Sequence, residues 1–183
     1  MHVSIFASNN LNLSDLHLSA PQDSPNTDGI KLSASEGIRV SHTISGTGDD
    51  CVAILNGTAN VNITQVSCGP GHGISVGSMG GNTILKKKDI LVGLTCCFWF
   101  YCTFANTSDD ARIKTWESPH EGVASGFTYE DITMDGVQHP INIDQHYCPF
   151  PPCDTRTPSH IQIKEITYNN IRGNFQAKDC SFF

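Results

Sequence analysis

The sequence predicts an all-β chain wound as a right-handed parallel β-helix, and three observations carry that prediction. Short alternating apolar triplets recur at a nearly constant step. Gly, Asn, Ser and Thr, which suit tight turns, separate them. No stretch keeps a helical period between caps.

The triplets Ile30–Leu32, Val52–Ile54 and Ile74–Val76 are spaced 52 − 30 = 22 and 74 − 52 = 22 residues apart. A second series, Ile38–Val40 and Val61–Ile63, repeats after 61 − 38 = 23 residues. Such a step matches one coil of two or three short strands, each pairing in parallel with its equivalent in the next coil. Inward residues then stack as aliphatic ladders, and outward residues form lines on the surface. An antiparallel sandwich also has many short strands but gives no reason for a fixed step. The series continues with Ile113 and Ile141–Ile143. From Ile74 to Ile113 the step is 113 − 74 = 39 residues, either a long insertion in one coil or a skipped rung.

Composition sets the outer limits. The chain has 183 residues, 38% hydrophobic and 16% charged, which suits a single globular domain over 1–183 with a real core. A net charge of −7 argues against a nucleic-acid surface, though a local cationic cluster can still hold an acidic ligand. The apolar stretch at 90–102, "ILVGLTCCFWFYC", is too short to span a membrane. Eight cysteines and four glycosylation triplets, at Asn12, Asn56, Asn62 and Asn106, point to an oxidising compartment. The start "MHVSIFASNN" does not read as a secretory leader, which implies a removed leader or a fragment.

The repeat also places the polar residues. Asp28 precedes Gly29-Ile30, Asp50 precedes Cys51-Val52, and His72 precedes Gly73-Ile74. With strands roughly 4.8 Å apart, Asp28, the Asp49/Asp50 pair and His72 should form one line on an outer face. Arg112 and Lys114 flank Ile113, so both cations share a face opposite a buried residue. Carboxylates held close on a rigid sheet suit glycoside hydrolysis, where one acid protonates the leaving oxygen and another activates water. The cations suit a carboxylated ligand, since Arg binds carboxylate bidentately. Taken singly, each stretch reads as a turn, a Gly-rich corner or a surface strand; their shared register is what joins them.

At Asn26-Thr27-Asp28, Gly48-Asp49-Asp50, Gly71-His72-Gly73 and Arg112-Ile113-Lys114 the sequence resembles the polygalacturonases, the family 28 glycoside hydrolases. The likeness runs from about Leu11 to Gly173, and "YEDITMDGVQHPINIDQHYCP" is most similar to the pollen exopolygalacturonases of plants. The resemblance implies hydrolysis, with inversion, of α-1,4 links between galacturonic acids in de-esterified pectin. It implies Asp49 as general acid, Asp28 and Asp50 as the pair activating water, and His72 tuning the acid. Asn26, Arg112, Lys114 and Tyr147 would contact substrate, the two cations on the galacturonate carboxylate. It implies no metal or organic cofactor, a secreted monomer acting in the cell wall on polygalacturonic acid, and a Cys51–Cys68 bridge. Cys148 and Cys153 could close a small loop.

Three features depart from the family pattern. The chain begins within a coil and ends at "AKDCSFF", without the capping coils of the full domain. The stretch 84–104 carries Cys-Cys-Phe-Trp-Phe-Tyr where a relative has polar outward positions. Asp110 stands where a glycine is usual, close enough to divert Arg112. These features leave an alternative: a truncated, catalytically weak or inactive relative that binds pectin or acts as a pollen allergen.

Overall fold

The protein is described here by a computed structural model covering residues 1–81, 92–153 and 156–175. Fourteen strands follow in chain order among them: β1 (Val3–Phe6), β2 (Asn12–Ser14), β3 (His17–Ser19), β4 (Ile30–Ser33), β5 (Arg39–Gly46), β6 (Val52–Ile54), β7 (Ala59–Cys68), β8 (Ile74–Met79), β9 (Val92–Phe100), β10 (Thr103–Ala105), β11 (Asp109–Thr115), β12 (Glu121–Val137), β13 (His139–Asp144) and β14 (His160–Phe175). They form a right-handed parallel β-helix. One sheet runs β1-β4-β6-β8-β11-β13; the other is built on β2, β5, β7, β9, β12 and β14, with the short β3 and β10 beside them.

The 22-residue step is visible in the pairing. Ile30 lies opposite Val52, and Val52 opposite Ile74. The next partner of Ile74 is Ala111, while Ile113 pairs with Val76. The step is therefore 111 − 74 = 37 residues, not 39. Because β8 and β11 pair directly, no rung is skipped: this coil is simply longer, and it carries β9.

Burial follows the same alternation. Ile30, Leu32, Val52, Ile54, Ile74, Val76 and Ile113 are fully buried and stack coil on coil. Each such side chain contributes about 1.5–3 kcal/mol relative to leaving it in water. In the other sheet the inward ladder changes character along its length. Ile63 pairs with Trp99, Trp99 with Tyr129 and Tyr129 with Tyr168. The three rings stack nearly parallel, with centroids 4.3 and 4.9 Å apart.

The unusual 84–104 stretch is partly explained by this period of two. Cys97 and Trp99 point inward and are buried, whereas Phe98 is exposed; between β9 and β10 a positive φ at Tyr101 resets the phase, leaving Tyr101 exposed and Cys102 buried. Residues 84–91 of that stretch, and "AKDCSFF" at 177–183, lie outside the described residues. Ile141 and Ile143 continue the register but are exposed, because β13 is the last strand of its sheet among the described residues.

Candidate active site

The coil register puts the acids and the histidine together. The Gly29 N–H donates to the Asp50 carbonyl at 2.9 Å, the His72 N–H to the Asp49 carbonyl at 2.9 Å, and the Cys51 N–H to the Gly73 carbonyl at 2.7 Å. Two glycines of the motifs are required by this close stacking. A Cβ on Gly48 would sit 2.1 Å from the Ser24 carbonyl oxygen. One on Gly73, which has a φ of +74°, would sit 2.1 Å from the Asp109 carbonyl oxygen.

Each acid has a different environment. Asp49 Oδ1 lies 3.1 Å from His72 Nδ1 and also accepts the Asp50 N–H at 2.8 Å. The hydrogen bond from His72 holds the Asp49 carboxyl below its ordinary value and raises the imidazole above its own. Asp50 is 4% exposed; Ser75 Oγ donates to its Oδ1 at 2.6 Å and Lys114 Nζ to its Oδ2 at 2.9 Å. Burial raises the Asp28 carboxyl, assisted by the charges of Asp50 and Asp49. Lys31, at 3.7 Å, only partly offsets this. The crowding of three acids is thus relieved unevenly: Asp28 holds its proton more tightly, and Asp49 less.

The cations occupy the expected face but are already engaged. Lys114 is 5% exposed and locked on Asp50. The Arg112 guanidinium pairs with Asp109 at 3.2 Å. Both stand over the Tyr147 ring, at 5.6 Å for Arg112 and 5.4 Å for Lys114, and Trp116 meets that ring edge-on at 5.3 Å. The expected capture of Arg112 by Asp110 is not found. The start of β11 breaks the two-residue alternation: Asp109 reaches Arg112 three residues on, while Asp110 turns away and accepts the Thr107 hydroxyl at 3.0 Å.

These groups border a cleft of about 330 Å³. Asn26, Asp28, Asp49, Asp50, Lys114 and Tyr147 line it, together with Trp116 and Phe150. His72 and Arg112 are not among the lining residues and touch them through Asp49 and Tyr147. A second depression of about 290 Å³, bordered by Asn10, Arg39, Asn62 and Phe98, shares no residue with it. Asp49, Asp50 and His72 have ligand atoms within 4.8 Å of one another, close enough to hold a cation. Such an ion would compete with the Lys114 ammonium for Asp50 and with His72 for Asp49.

Two disulfides brace the region. Cys51, the residue after Asp50, is joined to Cys68, and Cys148, the residue after Tyr147, to Cys153. Ser75 and Trp116 were missed from the sequence. Trp116 was within reach, since Arg112, Lys114 and Trp116 continue one alternation. Ser75 had no comparable signal, because a serine after Gly-Ile is unremarkable until its coil neighbour is known.

Comparison with known proteins follows the same lines. Residues 1–182 match the model of the family described as glycosyl hydrolases family 28. A polygalacturonase of Gossypium barbadense is 44% identical over 172 residues, covering 94% of this chain and 41% of that protein. An exopolygalacturonase of Platanus acerifolia is 41% identical over 177 residues, covering 97% of this chain and 45% of the relative. The solved polygalacturonase of Erwinia carotovora ssp. carotovora superposes with a TM-score of 0.73 at 25% identity, over 97% of this chain and 52% of that one. The chain therefore spans less than half the length of these curated relatives.

Proposed function

The chain belongs to the glycosyl hydrolases of family 28, and from that premise we propose that its cleft hydrolyses α-1,4-galacturonosidic bonds of polygalacturonic acid with inversion. The observation that carries this reading is the gathering of three carboxylates with different partners on one cleft, one held by an imidazole and one by an ammonium.

In this reading Asp49 protonates the leaving oxygen. In the free protein the Asp49–His72 hydrogen bond lowers the Asp49 carboxyl and raises the His72 imidazole, which favours the proton on His72. A polyanionic sugar chain covering the cleft excludes water and adds like charge, and both raise a carboxyl's proton affinity. The proton then passes from the imidazole to Asp49 and on to the glycosidic oxygen. Asp50, fixed through both oxygens, and Asp28 hold the attacking water. Inversion needs acid and base roughly 6.5–9.5 Å apart, compatible with carboxylates on adjacent rungs roughly 4.8 Å apart plus side-chain splay. Asn26 contacts the sugar, and Lys114, with Arg112 behind the lining over Tyr147, is the cation that prefers galacturonate to galactose. The proposal extends to one domain over 1–183, acting as a secreted monomer in the plant cell wall, and to cleavage from the chain end.

The test is release of reducing ends from polygalacturonic acid by wild type and Asp49→Asn across pH. We expect activity with an acidic optimum, a loss of about 10²–10⁴-fold in Asp49→Asn, and retained binding. Monogalacturonate as sole early product supports end-wise cleavage. Wild-type activity in Asp49→Asn overturns the assignment. Retention on pectin with no reducing ends released would instead establish binding without catalysis.

A further inference from the structure

The segment following Tyr147 reads Cys-Pro-Phe-Pro-Pro-Cys, and its Phe150 has no part in the chemistry just described. Phe150 is 77% exposed, the most exposed large apolar side chain in the described residues. An exposed apolar residue alone means little. This one borders the same cleft as Asp28, Asp49 and Asp50. Among the described residues no other ring packs against it.

Its backbone is held on both sides. The Tyr147 N–H donates to the Thr115 carbonyl at 3.1 Å, which fastens the start of the loop to β11. The Cys148–Cys153 bridge closes the loop over five residues. Pro149, Pro151 and Pro152 each fix one backbone dihedral within it. A bare aromatic ring is thus presented at a cleft lip by a loop with little freedom to withdraw it.

We infer that Phe150 is a stacking platform for a sugar ring of the bound galacturonan, outside the bond being cut, and that the Cys148–Cys153 loop is the device that presents it. The inference rests on the function proposed above. The chemistry fits because one face of a pyranose carries mainly C–H bonds, whose positive edge meets the negative face of an aromatic ring. Lys114 answers the carboxylate of the substrate, whereas a ring at the lip answers its apolar face. Rigidity matters because a platform already in place loses little entropy on binding.

The test measures hydrolysis and binding of polygalacturonic acid by wild type, Phe150→Ala, Phe150→Tyr and the Cys148→Ser/Cys153→Ser double variant, with a melting curve for each. We expect Phe150→Ala to raise KM and Kd about three- to tenfold with a smaller change in kcat. Phe150→Tyr should recover wild-type values, because it keeps the ring. The double cysteine variant should raise KM in the same direction. Unchanged KM and Kd in Phe150→Ala, beside an active wild type, overturn the platform alone. A lowered melting temperature with unchanged KM overturns it too, by assigning Phe150 to packing. A wild type that neither binds nor cleaves overturns the platform together with the function on which it rests.

Discussion

Asp50 and Asp110 are both buried aspartates, 4% and 0% exposed, near the starts of β6 and β11 in one sheet, yet the fold treats them oppositely. Asp50 receives a hydroxyl and an ammonium, so both its oxygens are answered. Asp110 receives only the Thr107 hydroxyl, and its Oδ2 is buried with no partner. Burial, with Asp109 adding to it, pushes the Asp110 carboxyl up to about 8. One buried acid therefore has a cation built in to face it, while the other has none and holds its proton well above the ordinary carboxylate range. The first arrangement borders the cleft; the second lies outside its lining and costs stability.

The largest effect should come from breaking the answered pair. Removing one member of a buried ion pair costs about 3–5 kcal/mol, because the other charge stays behind. Lys114→Met should lower the unfolding free energy by that order and raise KM for polygalacturonic acid. Lys114→Met/Asp50→Asn should recover much of the stability and none of the activity. Urea unfolding of the single and double variants, with kinetics on de-esterified and methyl-esterified pectin, checks this. Lost stability with unchanged pectin preference would make Lys114 a brace for Asp50 and remove it from substrate binding.

That contrast also marks what the sequence could reveal. Asp28, Asp50 and His72 were legible as one line because each stands two residues before an apolar triplet, and the 22-residue step carries that position from coil to coil. The cationic face was legible from the alternation around Ile113. The partners were not. Lys114 and Asp50 are 64 residues apart in sequence, with a coil of irregular length between them. Asp109 and Asp110 are adjacent and chemically identical, so nothing local tells which one turns toward Arg112. Periodicity fixes where a backbone position lies; the choice of partner depends on rotamers and burial that periodicity does not encode.

A smaller effect, with a definite sign in pH, is expected at Asp110. The unfolded chain loses this proton near the ordinary value of 3.8, whereas the folded chain keeps it to about 8. Between those values the folded state binds the extra proton, so stability falls as pH rises and levels off above about 8. Asp110→Asn keeps the shape and removes the titration. It should flatten the decline and raise stability at pH 8 by about 1–3 kcal/mol, with little gain at pH 4. Melting temperatures of both proteins across that range decide it. An equal shift at every pH would mean that Asp110 does not titrate in this window and that the contrast with Asp50 is one of packing alone.

The smallest effect separates a missing partner from a charge. Trp99 Nε1, Tyr129 Oη and Tyr168 Oη are buried without partners along the stacked aromatic ladder, as Asp110 Oδ2 is, but none of the three carries a charge near neutral pH. Burial raises the Tyr129 hydroxyl well above its ordinary value, so it stays neutral throughout any workable range. Tyr129→Phe removes the unanswered hydroxyl and keeps the ring that stacks between Trp99 and Tyr168. A lost desolvation penalty and a small lost volume oppose each other, so stability should stay the same or rise by less than about 1 kcal/mol. The change should also be independent of pH, unlike that of Asp110→Asn. Urea unfolding at pH 5 and pH 8 measures both features. A loss above about 1 kcal/mol would show that the hydroxyl has a bonding partner, such as a buried water shared with Tyr168. The two tyrosines would then belong with Asp50, among the answered groups, and Asp110 would remain a buried acid with an unanswered oxygen.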